Sequence, residues 1–71
     1  MMYIKLSTGH LINLKSLDSL SPVFMMYGDK FVFNASIRGR EHSYCYPREA
    51  DAIKDYELII RKINEIGWIY G

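Results

Sequence analysis

The 71-residue sequence lacks most features that would define a secreted or membrane protein. Its one cysteine excludes an intrachain disulfide and suits a reducing compartment, so we expect a cytoplasmic protein. No apolar run approaches the ~20 residues of a membrane span, and the N-terminus has no signal-peptide pattern, so no membrane partner is expected. A net charge of only +1 argues against non-specific nucleic-acid or membrane-surface binding.

What the sequence does contain is an unusual share of aromatic residues, 14% of the chain. The length predicts a single domain over residues 1–71, with strands within 2–46, a helix at about 48–66 and an apolar tail at 67–71. A core of this size is only marginally sufficient for stability, so a second subunit is expected to contribute.

Residues 2–46 alternate between apolar and polar side chains, which is typical of half-buried strands. Gly turns predict three hairpins, with loops at Thr8–His10, at 28–29 and at 39–40. In these registers Leu6 opposes Ile12, Met26 opposes Phe31 and Arg38 opposes Glu41. Residues 15–21 read as a turn or a short helical connection.

After Pro47 the apolar period changes to that of a helix, and Tyr44 and Tyr46 point towards it. Asp51 and Asp55 are predicted to lie on the solvated helix surface. We therefore predict an α+β fold, in which an antiparallel meander of about five strands packs in two layers against one C-terminal amphipathic helix. The predicted buried helix face contains Ala52, Ile53, Tyr56, Ile59, Ile60, Ile63 and Ile66.

Candidate catalytic groups are few, and no pair of them is aligned. Cys45 and His42 lie three residues apart on one strand, so their side chains point to opposite faces, and nothing places His10 near Cys45. The two histidines and the cysteine have no ligand spacing for a metal. We therefore expect no enzyme activity, no metal and no cofactor.

The second face of the predicted sheet carries more apolar side chains than a solvated face normally does. The tail could cover them within the chain, or they could contact another chain. The small core favours contact with a copy of this chain or with a target protein. The predicted partner-binding residues are Val23, Met25, Tyr27, Val32, Trp68 and Tyr70.

Arg38, Arg40 and Arg48 are predicted to form a polar rim around this surface. Together with exposed tyrosines, they also define an alternative function as a small single-stranded nucleic-acid-binding protein. The near-neutral charge makes that alternative the weaker one. A structural subunit of a larger assembly would use the same apolar surface.

The segment 3–14, YIKLSTGHLINL, resembles the start of small phage and bacterial proteins that open with a strand, a Gly turn and an I-N-L strand. Such proteins continue as a meander and end in one helix, and most have no assigned activity. The resemblance implies a phage-type accessory protein or stoichiometric inhibitor of host defence, of the anti-CRISPR kind, acting in the host cytoplasm. It assigns no functional residues.

Overall fold

Six strands and one helix succeed one another within residues 3–65, the part of the chain that the computed structural model describes. This confirms the predicted α+β class. The segment 15–21, predicted as a turn or a short helical connection, overlaps a 3₁₀ turn, Leu14–Ser16, and then forms a further strand. The elements are β1 (Tyr3–Lys5), β2 (Leu11–Asn13), β3 (Leu17–Leu20), β4 (Phe24–Met26), β5 (Lys30–Ile37), β6 (Arg40–Tyr46) and α1 (Glu49–Glu65).

The long strand β5 organises the main sheet. It pairs with β6 along one edge, while β3 and β4 follow each other along its other edge. Ser21 bridges the break between them: its N–H donates to the Asn34 carbonyl at 2.8 Å and its Oγ accepts from the Asn34 N–H at 2.8 Å. Strands β1 and β2 form a separate two-stranded sheet.

All three hairpin registers differ from those predicted, because left-handed residues determine where each chain reverses. In the first hairpin Ile4 opposes Ile12, and Gly9, with a φ of 95°, closes a loop over 7–9. In the second, Met25 opposes Phe31, around a loop that begins at Tyr27.

The third hairpin turns at Arg38 and Gly39, whose φ values of 53° and 81° are those of a type I′ turn. The predicted pairing of Arg38 with Glu41 is therefore wrong, since Glu41 opposes Ser36. The shift is two residues, which preserves the side-chain faces, and Tyr44 and Tyr46 are buried as predicted.

Helix α1 packs on β5 and β6, with a buried stripe of Ala52, Asp55, Ile59 and Ile63. The buried face of the helix is rotated about the helix axis by roughly 50° from the predicted face, which is half of the 100° step between successive residues. Ile53, predicted to be buried, is exposed, and Asp55, predicted to be solvated, is only 2% exposed. Besides this stripe, the core cluster contains Ile4, Leu6, Ile12, Leu14, Leu17, Phe33, Ala35, Tyr44 and Tyr46.

Candidate functional site

An exposed apolar cluster, the hairpin tip, lies where β4 turns into β5. It consists of Met25, Met26 and Tyr27. Met25 is 59% exposed and the Tyr27 ring is 81% exposed, values unusual for side chains of this size. The tip therefore presents adaptable thioethers beside a rigid ring, a combination suited to contact with another protein.

The six residues predicted to bind a partner have different environments in the structure. Met25 and Tyr27 are exposed in the tip, although Met25 lies on the helix side of the sheet, opposite Phe31. Val23 is half-buried against the core, and Val32 is fully buried, so its side chain offers no accessible surface. Trp68 and Tyr70, like the whole predicted tail at 67–71, lie outside the described residues.

The backbone at Tyr27 is left-handed, with a φ of 59°. This conformation is disfavoured by about 1–2 kcal/mol for a residue with a Cβ, and asparagine tolerates it better. In dilute solution, where single chains are measured, we expect Tyr27→Asn to raise the free energy of unfolding by about 0.5–1 kcal/mol and the Tm by several degrees. Tyr3→Asn, at an exposed tyrosine in extended β1, is the control and should not stabilise. A lower Tm for Tyr27→Asn would show that the ring makes a stabilising contact.

The predicted arginine rim is divided between the two ends of the sheet. Arg38 lies in the β5–β6 turn and Arg40 follows it, whereas Arg48 lies beyond the far end of β6, just before α1. The seven residues of β6 separate them by about 20 Å. Arg48 is thus at the same end as the hairpin tip, and Arg38 and Arg40 are at the opposite end.

A cleft of about 490 Å³ lies at that opposite end, between the β1–β2 hairpin and the β5–β6 hairpin. No aspartate or glutamate among residues 3–65 lines it. Its walls combine aromatic rings, imidazoles, amide and hydroxyl groups and one guanidinium group. The lining residues are Tyr3, His10, Leu11, Asn13, Ser16, Ile37, Arg38, His42 and Tyr44.

Two contacts hold side chains of the cleft in place. The His10 ring meets the buried Tyr44 ring edge-on, with centroids 5.3 Å apart, and a hydrogen bond of 2.7 Å joins its Nδ1 to the Thr8 hydroxyl. On the other wall, Arg38 donates from its backbone N–H to the Ser16 carbonyl at 3.1 Å and from its Nε to the Ser16 Oγ at 3.0 Å. A side chain on each wall of the cleft is therefore held in place by contacts within the chain.

The candidate catalytic residues do not form a dyad. His42 opposes Ala35 and Cys45 opposes Val32, so the two side chains lie on opposite faces of β6, as the sequence predicts. Within residues 3–65 no three His, Cys, Asp or Glu side chains are grouped to hold a metal ion. In the same stretch, no helix is long and apolar enough to cross a membrane.

The buried carboxylate of Asp55 joins three parts of the fold. Its Oδ2 accepts hydrogen bonds from the Tyr46 hydroxyl at 2.8 Å, from the Ser7 hydroxyl at 2.8 Å and from the Ser7 N–H at 3.0 Å. Burial raises the pKa of Tyr46, and the hydrogen bond to Asp55 raises it further. Because three donors satisfy this single oxygen within the core, we assign Asp55 a structural role.

Three features of these sites escape the sequence analysis: Met26 in the tip, the cleft, and the burial of Asp55. Met26 lies in the tip because of where the loop begins. The chain turns at Tyr27, one residue earlier than in the predicted loop at Gly28–Asp29. The cleft arises from packing of one hairpin on another, for which no local pattern exists. Asp55 interrupts the apolar stripe at helical spacing from Ala52 and Ile59, a weak indication of a buried acid.

Comparison with protein-family models, with curated proteins and with solved structures finds no match for this chain. The resemblance to small phage and bacterial proteins therefore stays a prediction. The hairpin tip and the cleft lie at opposite ends of the eight-residue strand β5, about 23 Å apart.

Proposed function

We propose that this chain is a non-enzymatic protein-binding module that acts through the hairpin tip and forms a homodimer by the same surface. The observation that carries the proposal is the exposure of Met25 and Tyr27, two residues apart in sequence, at the end of the β4–β5 hairpin. A cluster of exposed apolar side chains of this kind is typical of a protein interface. Its action is stoichiometric, as the resemblance to phage accessory and inhibitor proteins implies, in the cytoplasm of the cell.

Strand β4 adds a backbone component to this surface. Among the described residues it pairs only with β5, so its outer edge offers unpaired N–H and C=O groups. An exposed edge strand is a template for another strand, and the methionines beside it would supply the apolar contact. Pro22 and the break after β3 limit this edge to a few residues, which favours a specific, small contact over continued strand addition.

A second copy of the chain fits this edge well. An antiparallel two-fold arrangement about Met25 would place Phe24 of one chain opposite Met26 of the other, which is self-complementary. The adjacent loop carries Asp29 next to Lys30, one charge of each sign, so two copies meet without net repulsion. The dimer would also supply the apolar burial that a 71-residue core lacks.

The oligomeric state tests this proposal directly. Size-exclusion chromatography with light scattering at about 0.1 mM should give twice the chain mass of 8.3 kDa. Met25→Asp should give the monomer, because two carboxylates would be brought together and desolvated at the two-fold axis.

The matched control is Leu11→Asp, which alters a similarly exposed apolar side chain at the far end of the molecule. This variant should remain dimeric. A wild-type chain that is monomeric at that concentration, or a Met25→Asp variant that is still a dimer, would refute self-association through the tip.

A further inference from the structure

The cleft at the far end of β5 has a composition that the protein-binding proposal does not use. Tyr3 is 51% exposed and Leu11 is 65% exposed at its mouth, while His10 and His42 line its walls. These groups offer flat apolar and π surfaces to a ligand. Aromatic side chains in such positions stack on nucleobases.

The guanidinium group of Arg38 supplies a site for an anion. Its Nε donates to the Ser16 hydroxyl at 3.0 Å, and among residues 3–65 its two Nη nitrogens make no hydrogen bond. No carboxylate within residues 3–65 forms an ion pair with Arg38. Asp18, near the same turn, instead accepts from the Gly39 N–H at 2.9 Å. A planar, fixed donor group with free N–H groups is well suited to phosphate.

The distribution of charge favours an anionic ligand at this end of the molecule. The segments around the cleft carry four basic side chains, Lys5, Lys15, Arg38 and Arg40, against two acidic ones, Asp18 and Glu41. Lys5 lies on the same outer face of the first hairpin as Tyr3 and Leu11, since Lys5 opposes Leu11 and Tyr3 opposes Asn13.

From these observations we infer that the cleft binds a nucleotide, with the base stacked against Tyr3 and His10 and the phosphate on Arg38. The same chemistry is presented by a free nucleotide and by one unit of a single strand. This inference is independent of the hairpin tip, so failure of either proposal leaves the other standing.

An NMR titration of the full chain tests the inference with two probes, AMP and octathymidylate. The amide signals of Arg38, His42 and His10 should shift together and saturate, with a Kd of about 1 mM or tighter for one of the probes. Saturation by AMP without tighter binding of octathymidylate identifies a free nucleotide as the ligand. Much tighter binding of octathymidylate identifies a single strand.

Two pairs of variants separate the cleft from general charge attraction. Arg38→Gln should weaken binding about tenfold and reduce the salt slope for octathymidylate by about 0.7. Arg40→Gln removes the same charge at a neighbouring exposed position that does not line the cleft, and should have little effect. Tyr3→Ala should weaken binding at least fivefold. Tyr3→Phe keeps the ring and should bind as tightly as the wild-type chain.

The inference is overturned if neither probe produces saturable shifts at the cleft. It is equally overturned if Arg38→Gln and Arg40→Gln weaken binding to the same degree, because that result would show diffuse attraction by charge alone. Should Arg38→Gln alter the fold, the Tyr3→Ala and Tyr3→Phe pair decides the question by itself, since Tyr3 is exposed and its substitution leaves the core intact.

Discussion

Replacing Phe33 with alanine is expected to lower the free energy of unfolding by about 4 kcal/mol. Phe33 is fully buried on the central strand β5, and its ring meets three tyrosine rings. The centroid distances are 5.4 Å to Tyr44, 5.8 Å to Tyr46 and 5.8 Å to Tyr56. The substitution would leave a cavity and remove aromatic pairs worth about 0.5–1.5 kcal/mol each.

A chain of this size has a total stability of about 4–10 kcal/mol, so Phe33→Ala should leave little cooperative unfolding. Urea denaturation followed by circular dichroism measures the loss. Phe24→Ala is the matched control, because Phe24 is a half-buried phenylalanine on the adjacent strand, facing the other side of the sheet. A loss for Phe33→Ala no greater than that for Phe24→Ala would contradict the central position of this ring.

Replacing Asp55 with alanine is expected to lower the free energy of unfolding by about 3 kcal/mol. The change removes the acceptor for three donors, of which the Tyr46 hydroxyl is buried and has no access to water. Asp51→Ala is the control: Asp51 is exposed one helical turn earlier, and losing its favourable interaction with the helix N-terminus costs less than about 1 kcal/mol.

A double-mutant cycle shows whether the hydrogen bond between Tyr46 and Asp55 accounts for the loss of stability. Tyr46→Phe alone should cost about 1 kcal/mol, and in the Asp55→Ala background it should be close to neutral or stabilising, because the orphaned hydroxyl is removed. Equal losses for Asp55→Ala and Asp51→Ala, or strictly additive effects of Asp55→Ala and Tyr46→Phe, would refute this account.

The sequence predicts the α+β class, the helix and the hairpins, because apolar periodicity survives errors in strand register. In the first and third hairpins the observed pairing differs from the predicted one by two residues, which leaves every side chain on its predicted face. In the second hairpin it differs by one residue, and Met25 therefore moves to the helix side. The register errors in the second and third hairpins arise from Tyr27 and Arg38. Both residues have a left-handed backbone, which the conformational preferences of tyrosine and arginine do not predict.

The candidate sites are less predictable, since they depend on contacts between distant segments. Met25 and Tyr27 can be identified as surplus apolar side chains in a small core, but the burial of Val32 cannot be inferred from its alternation pattern. The helix orientation fails for a similar reason. Asp55 is drawn inward by Ser7 and Tyr46, and the first of these partners is 48 residues away in sequence.

The hydrogen bonds between Ser7 and Asp55 have a consequence for biosynthesis. The β1–β2 hairpin belongs to its own sheet and does not pair with the main sheet among the described residues. During translation, its apolar face, with Ile4, Leu6 and Ile12, emerges long before the helix that carries Asp55. During synthesis this hairpin can therefore complete its polar contact with Asp55 only after α1 has been made.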